Sequence, residues 1–176
     1  MSPTIARFLD EPTGPHFQAA WRSVTKTGRK VDFPRLTALL ADGGAHEVLE
    51  ELSSLPLWLR LSPRVHDLAA RAAELTAQSD DAEVERYLFS RCAAGILASG
   101  DGCPDSPYLA VQAADEAVIL AILGREPLSQ AVIEARDRIL DVVICRDGGE
   151  VCFDVTHLLR LPLQKRVKPR KTAAVR

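Results

Sequence analysis

LDVVICRDGGEVCFDV, residues 140–155, decides the fold, because its pattern is that of a β-hairpin. Two runs of alternating apolar side chains flank the turn sequence Asp147-Gly148-Gly149, where glycines favour a tight reversal of the chain. A turn centred on Gly148-Gly149 and one centred on Asp147-Gly148 leave the same face apolar, so both registers stay open. The predicted buried face consists of Leu140, Val142, Ile144, Val151, Phe153 and Val155.

A two-stranded ribbon is only marginally stable in water, so further elements must cover this hairpin. Tyr108–Val111 is predicted to be a third strand, and Leu128–Ile133 an extended segment. Between them, Asp115 begins a predicted helix that Gly124 ends. Residues 99–160 are therefore expected to form a small antiparallel β-sheet of two or three strands with one helix.

The first hundred residues are predicted to be mainly helical. Leu and Ala supply much of the apolar content and only 5% of the residues are aromatic, which suits close-packed helices. The strongest helix start is Ser62-Pro63, and a short polar break at 78–81 predicts that the helices on either side of it are antiparallel. The positions predicted to face inward on this pair are Val65, Leu68, Ala69, Ala72, Leu75, Val84, Tyr87, Leu88, Cys92 and Ile96.

These features together predict an α+β protein with five or six helices. The span Ser62–Ala98 resembles a tetratricopeptide-type helical hairpin in its length and small residues, and Asp32–Leu55 resembles a degenerate companion. We expect a helical region at 1–98, a small α+β region at 99–160 packed on it, and a basic, disordered tail at 161–176.

From residue 84 to residue 159 the order of features resembles an uncharacterised bacterial family. That order is a helix running into an SGDG loop, a short strand, a helix headed by Asp-Glu and ended by Leu-Gly, a Gln, and a terminal hairpin with Phe-Asp. The corresponding residues are Ser99–Gly102, Tyr108–Val111, Asp115-Glu116, Leu123-Gly124, Gln130, Asp141 and Phe153-Asp154. The resemblance implies a bacterial source and supports the α+β fold, and it implies no activity.

The SGDG loop is the segment whose residue types best suit ligand binding. Glycine amides can cradle an anion, and Asp101 with Asp105 can hold a cation. The pattern matches neither the phosphate-binding nor the calcium-binding loop motif, and no Lys follows it. Termination of the preceding helix is therefore the favoured interpretation. The candidate ligand or ion residues are Ser99, Gly100, Asp101, Gly102 and Asp105.

The cysteines are a weaker candidate for a metal site. The hairpin is predicted to bring Cys145 and Cys152 together, with His157 five residues beyond, but zinc then needs Cys103 as a fourth ligand. Thiols of the core or the surface are the favoured interpretation, so no metal is predicted.

No constellation of catalytic side chains is recognisable. The acidic pairs Asp80-Asp81 and Asp115-Glu116 are interpreted as helix starts, where carboxylates complement the helix dipole. The four histidines are scattered, with His66 predicted at a boundary position, and no nucleophile elbow is present. We therefore predict no catalytic residue and no cofactor.

The charge of the chain is distributed unevenly. Arg160–Arg176 holds seven of the 22 basic residues and no acidic residue, although the net charge is −2. A solvated tail is the favoured interpretation, and contact with nucleic acid through phosphate neutralisation is the alternative. The basic tail residues concerned are Lys165, Arg166, Lys168, Arg170 and Lys171.

The sequence favours a cytoplasmic protein. No segment approaches the roughly 20 consecutive apolar residues that cross a bilayer, and Met1–Asp10 lacks the pattern of a secretory signal. Since no membrane-spanning segment is recognisable, no membrane contact is expected. The four cysteines form no CxxC motif, so reduced thiols are expected.

The expected function is a non-enzymatic protein-interaction domain that uses a groove between the helical layer and the sheet, with another protein as its partner. The first alternative is a small hydrolase or ligand-binding enzyme that uses the Ser99–Gly102 loop. The second is a nucleic-acid-associated protein that binds through its basic tail.

Deletion of Leu163–Arg176 tests the second alternative. Lysine and arginine contacts to phosphates release counterions, so binding through the tail must weaken as salt rises. If the tail is the contact, RNA or DNA binding measured by fluorescence anisotropy is salt-dependent in the full chain and lost in the truncated chain. Equal binding by both chains would contradict this role.

Overall fold

The computed structural model describes residues 2–26 and 30–160, and within these ranges the chain is α+β, with eight α-helices and a four-stranded sheet. The basic tail residues from Lys165 to Lys171 lie outside these ranges, as does the tail region predicted to be disordered. None of the described helices combines the length and apolarity needed to cross a membrane.

The helices are α1 Pro3–Asp10, α2 Gly14–Ser23, α3 Phe33–Ala41, α4 Ala45–Ser53, α5 Pro63–Leu75, α6 Ser79–Leu97, α7 Ala113–Ile122 and α8 Thr156–Arg160, with a 3-10 turn at Leu59–Leu61. The strands are β1 Tyr108–Leu109, β2 Pro127–Ala135, β3 Arg138–Cys145 and β4 Glu150–Asp154.

The helical layer is built around α5 and α6, which pack along each other and are joined by the short connection 76–78. Helices α1 and α2 cross α6 where its residues are small. A Cβ added at Gly95 would lie 2.6 Å from the ring of Phe8 and 2.7 Å from the ring of Phe17, so only glycine permits this close approach. The predicted helical pair is present, and its likeness to a tetratricopeptide hairpin stays a prediction.

The inward face predicted for this pair is right for most of α5 and for the second half of α6, and wrong around the connection between the two helices. Leu75, Val84 and Tyr87 are exposed, whereas Cys92 and Ile96 are buried. The first half of α6 contacts α5, where Glu85 bonds to His66, and the end of α1, where Tyr87 Oη donates to Leu9 O, but the described residues leave the side chains of Val84 and Tyr87 largely exposed. The apolar stripe therefore continues past the point at which the core ends.

Two helices at the ends of the described chain were not predicted. Helix α1 is short, yet it buries Ile5 and Phe8 against the core, and α8 follows the hairpin directly. Short helices carry little intrinsic stability and depend on packing, which a local pattern does not reveal.

The sheet has the strand order β1-β4-β3-β2 and is mixed, not antiparallel throughout. Strand β1 pairs with β4 in parallel, through Tyr108 opposite Phe153. The prediction of a purely antiparallel sheet was wrong at this edge, because β1 enters from α6 and runs alongside the last strand of the hairpin. The extended segment predicted at 128–133 is confirmed as part of β2, which pairs antiparallel with β3.

The hairpin of β3 and β4 is present, but its register matches neither predicted turn. Val142 lies opposite Cys152 and Val143 opposite Val151, and Gly148 has a φ of +82° in the left-handed region. Cys145 N donates to Gly149 O, and Gly148 N donates to Cys145 O. This is the three-residue loop with a glycine bulge.

This register places the predicted buried face on two sides of the sheet. Directly opposite residues share a face, so Val143 joins Val151 and Phe153 on the side that packs against the core. Ile144 is exposed on the other side, together with partly buried Val142. A shift of one residue exchanges the faces of a strand, so the predicted inward set was right for β4, whereas in β3 only Leu140 is buried, Val142 is partly buried and Ile144 is exposed.

One buried carboxylate joins the helical layer to the sheet region. Asp115 in the first turn of α7 is fully buried. Its Oδ1 accepts hydrogen bonds from Ser62 Oγ at 2.5 Å and from Arg64 N at 3.1 Å, at the start of α5. Its Oδ2 accepts from Gln112 N at 2.8 Å. The first turns of α5 and α7 are thus capped by the same side chain.

The replacement Asp115→Ala is expected to destabilise the fold by about 3 kcal/mol or more, because it leaves several buried donors without an acceptor. Urea denaturation at pH 7.5 measures the loss. Asp80→Ala is the matched control, because Asp80 is an exposed carboxylate in the first turn of α6 and its interaction with the helix dipole contributes at most about 1 kcal/mol. Equal losses in the two variants would contradict the role of Asp115.

Candidate functional site

The SGDG loop closes on itself with its own amides. Asp101 N and Gly102 N both donate to Ser106 O, at 2.9 and 3.1 Å. The carbonyl of Gly102 accepts from Cys152 N, which ties the loop to β4. These two amides are therefore already engaged and do not point into an open anion cradle.

The side chains of Ser99 and Asp105 in this loop lie in different surroundings. Ser99 Oγ donates to Ile96 O at the end of α6 and accepts from Leu109 N at the start of the sheet. Asp105 is exposed on the surface, 4.0 Å from Arg136. The structure thus keeps Ser99 within the helix ending and Asp105 in solvent, and ligand binding at this loop stays a prediction.

The cysteines predicted to meet across the hairpin lie on opposite sides of the sheet. Cys152 pairs with Val142, whereas Cys145 lies near the loop and bonds to Gly149. All four cysteines are free thiols, and the described residues contain no group of three or more ligands suited to a metal ion. The one-residue change of register is the physical reason for their separation.

His66 is buried, not at a boundary as predicted. Its Nδ1 lies 2.6 Å from a carboxylate oxygen of Glu85, and its Nε2 lies 2.7 Å from Arg60 O. The ring therefore links α5 to α6 and to the 3-10 turn, which accounts for a polar side chain at this depth.

A cluster that sequence reasoning did not assemble lies where α7 meets the sheet. Glu116 of α7 and Asp141 of β3 are joined by Gln130 of β2. The amide Nε2 of Gln130 donates to Glu116 Oε2 at 3.1 Å and to Asp141 Oδ2 at 2.5 Å. One nitrogen thus lies between two carboxyl groups.

The fold brings these three side chains together for a simple reason. Val132 pairs with Asp141 and Gln130 pairs with Val143, so Gln130 and Asp141 lie diagonally on one face of the sheet. The capping contact of Asp115 fixes the first turn of α7 over this face, and Glu116 is the next residue. Of the acidic pair interpreted as a helix start, Asp115 therefore caps the helix, whereas Glu116 belongs to the cluster with Gln130 and Asp141.

Both carboxyl groups are almost completely removed from solvent. Glu116 is 4% exposed and Asp141 is 6% exposed. Glu116 Oε1 and Asp141 Oδ1 have no hydrogen-bond donor among the described residues. Burial, followed by the negative charges of Asp141 and Asp115, raises the pKa of Glu116 to about 8. At neutral pH the raised pKa therefore favours the protonated form of Glu116.

A cleft of about 190 Å³ lies over this acidic pair, between the helical layer and the sheet. Its walls are mainly apolar, with the exposed Lys30 and the edge residue Val132 also part of the lining. No Ser, Thr, Cys or His occurs among the described lining residues, so the cleft offers no such nucleophile. The apolar wall residues are Trp58, Ala113, Val132, Val155, Leu158 and Leu159.

The replacement Glu116→Gln is expected to flatten the pH dependence of stability. The folded state keeps a proton on Glu116 up to a pKa of about 8, whereas the unfolded carboxyl loses it near 4.5. Stability therefore falls as the pH rises through this window, with a slope that approaches 1.4 kcal/mol per pH unit. An amide in place of the protonated carboxyl removes this slope.

Urea denaturation at several pH values above 6 measures the effect, because burial raises the pKa of Asp115 only to about 6. The variant is expected to become more stable than the wild type as the pH approaches 8. Glu150→Gln, at an exposed carboxyl of β4, is the control that keeps the slope of the wild type. Identical slopes for Glu116→Gln and the wild type would refute a buried proton at Glu116.

Comparison of the chain with protein-family models, with curated proteins and with solved structures found no match. The chemistry of the cleft is therefore the basis on which a function is inferred.

Proposed function

We propose that this chain is a non-enzymatic protein-interaction domain whose cleft receives a basic side chain of a partner protein. The observation that carries the proposal is the pair of buried carboxyls, Glu116 and Asp141, beneath a narrow and largely apolar cleft. An apolar stem with a cationic tip is the ligand shape that such a cleft complements.

The amide of Gln130 marks where a donor nitrogen binds. It contacts both carboxyls at once, which is also what a guanidinium group does with its forked N–H donors. Gln130 lies on the exposed strand β2, so its side chain is free to rotate away when a charged donor enters.

A cation competes with the proton that the acidic pair holds. Charge-assisted hydrogen bonds are roughly twice as strong as neutral ones, so a guanidinium gains more from two carboxylates than the neutral amide of Gln130 does. Entry of the cation releases the proton of Glu116, whose pKa is raised to about 8. Binding is therefore tighter at pH 8 than at pH 6.5.

The dimensions and the rim of the cleft define the partner further. A volume of about 190 Å³ is below the range of about 300–1,000 Å³ typical of small-molecule pockets, so a single side chain is the better fit. Lys30 at the lining adds one positive charge. A partner segment with an acidic residue next to its arginine complements both charges.

We place this domain in the cytoplasm, a proposal supported by the absence of disulfides among the described cysteines. The acidic floor of the cleft repels phosphate, so the cleft itself does not favour nucleic acid. The bacterial source indicated by the family resemblance stays part of this proposal.

Titration with N-acetyl-arginine amide tests the proposal, with N-acetyl-citrulline amide as its neutral isostere. Amide resonances of Glu116, Gln130 and Val132 are followed by NMR. We expect saturable binding of the arginine probe with a dissociation constant of about 1 mM, a weak value that corresponds to about −4 kcal/mol. The citrulline probe is expected to bind at least tenfold more weakly, because it lacks the charge.

Variants assign the binding to the acidic pair. Asp141→Asn and Glu116→Gln are expected to abolish the difference between the two probes, whereas Gln130→Ala retains it and Glu150→Gln behaves as the wild type. Equal binding of the two probes, or no saturable shift at residues of the cleft, would overturn the proposal.

A further inference from the structure

Strand β2 forms an open edge of the sheet. It runs from Pro127 to Ala135 and pairs with β3 on one side, and no strand of the described chain covers its other side. Leu128 is 64% exposed and Val132 is 57% exposed. A long apolar edge of this kind is a template for pairing with another strand.

The hydrogen-bonding groups that remain open follow from the ladder. Val155 N donates to Ile139 O, so the odd-numbered residues of β3 turn their main chain towards β4 and the even-numbered ones towards β2. Val142 pairs with Ala131, so Ala131 faces β3. Its neighbours Gln130 and Val132 therefore turn their amides and carbonyls to the open edge, as does Glu134.

The usual protection of an edge strand is present at only one end of β2. Pro127 and the bulge between Pro127 and Ser129 disturb the strand there. From Gln130 to Glu134 the strand has no proline and no lysine, the residues that commonly prevent pairing. This segment is therefore available to a second strand.

We propose that β2 pairs with β2 of a second copy of this chain, antiparallel and about a two-fold axis at Ala131. Gln130 of each copy then lies opposite Val132 of the other, and their outward amides and carbonyls bond reciprocally. The two sheets become continuous, and this association does not depend on what the cleft binds.

The order of charges around β2 identifies a second copy as the occupant. Arg125-Glu126 precedes the strand and Arg136-Asp137 follows it. When two copies run antiparallel about Ala131, the Arg125-Glu126 end of one strand comes beside the turn Arg136-Asp137 of the other. Arg125 already pairs with Asp147 of its own chain, so Glu126 and Arg136 are the residues that form the pair between copies. The pair of Glu126 with Arg136 of the other copy thus occurs twice, once at each end of the interface, which is the self-complementarity that an isologous interface requires.

The charges within and beside the strand permit this arrangement. Glu134, the one charged residue between Pro127 and Ala135, comes opposite Leu128 and not opposite its own copy. The present partners of Glu126 and Arg136 are Arg146 at 3.2 Å and Asp105 at 4.0 Å, in pairs that are largely exposed. Exposed pairs contribute little free energy, so both side chains can turn to the partner.

Sedimentation velocity of the full chain over a wide concentration range tests the proposal. The wild type is expected to pass from monomer to dimer as its concentration rises. Arg136→Glu places two acids opposite each other and is expected to weaken the dimer at least tenfold, whereas the double variant Glu126→Arg/Arg136→Glu restores it. Recovery by the exchanged pair distinguishes this register from general loss of charge.

A second variant tests the main-chain bonds. Glu134→Pro removes an N–H that faces the open edge and leaves the ladder to β3 in place, so it is expected to weaken the dimer while far-UV circular dichroism stays unchanged. Hydrogen exchange of the Gln130 and Val132 amides is expected to slow at high protein concentration. A chain that stays monomeric, or a dimer that neither Arg136→Glu nor Glu134→Pro weakens, overturns the proposal.

Discussion

The carboxylate of Asp115 is the contact on which the arrangement of the two halves depends. Buried amides at a helix start need an acceptor: in α5 the N-cap residue Ser62 supplies none, whereas in α7 the N-cap residue Gln112 forms a capping box with Asp115. Asp115 serves both helices at once. Because burial outweighs its hydrogen bonds, the pKa of this group is raised to about 6. The protein therefore bears a costly buried charge at the place where its helical layer meets its sheet.

The elements that local patterns describe were predictable, and their faces were less so. The hairpin, the start of α5 and the helix beginning near Asp115 follow from turn residues and capping residues. The phase of β3 did not follow, because apolar residues occupy both of its faces, Val142 and Ile144 on one and Val143 on the other. A three-residue loop then decided between them. The exposed Val84 shows that the same holds for a helix. An apolar stripe indicates which face of a helix is suited to burial, but it does not indicate whether another element covers that face.

The candidate site could not be predicted from the sequence, because its residues are far apart along the chain. Glu116, Gln130 and Asp141 belong to three elements and meet only when α7 lies across β2 and β3. One signal was visible beforehand, namely a carboxylate inside the apolar strand sequence LDVVIC. The glycines of the SGDG loop suggest an anion cradle, yet the amides of Asp101 and Gly102 donate to Ser106 O. A buried acid in an apolar strand was the more informative departure from pattern.

The sharing of one cap by two helices also orders events during synthesis. The ribosome releases the chain from its N-terminus, and domains tend to fold in that order. Helices α5 and α6 therefore emerge before Asp115 exists, and the first turn of α5 then has exposed amides and no carboxylate to receive them. The contact between Asp115 and the start of α5 can form only after residue 115 has left the ribosome. During synthesis, α5 and α6 therefore exist for an interval without this cap.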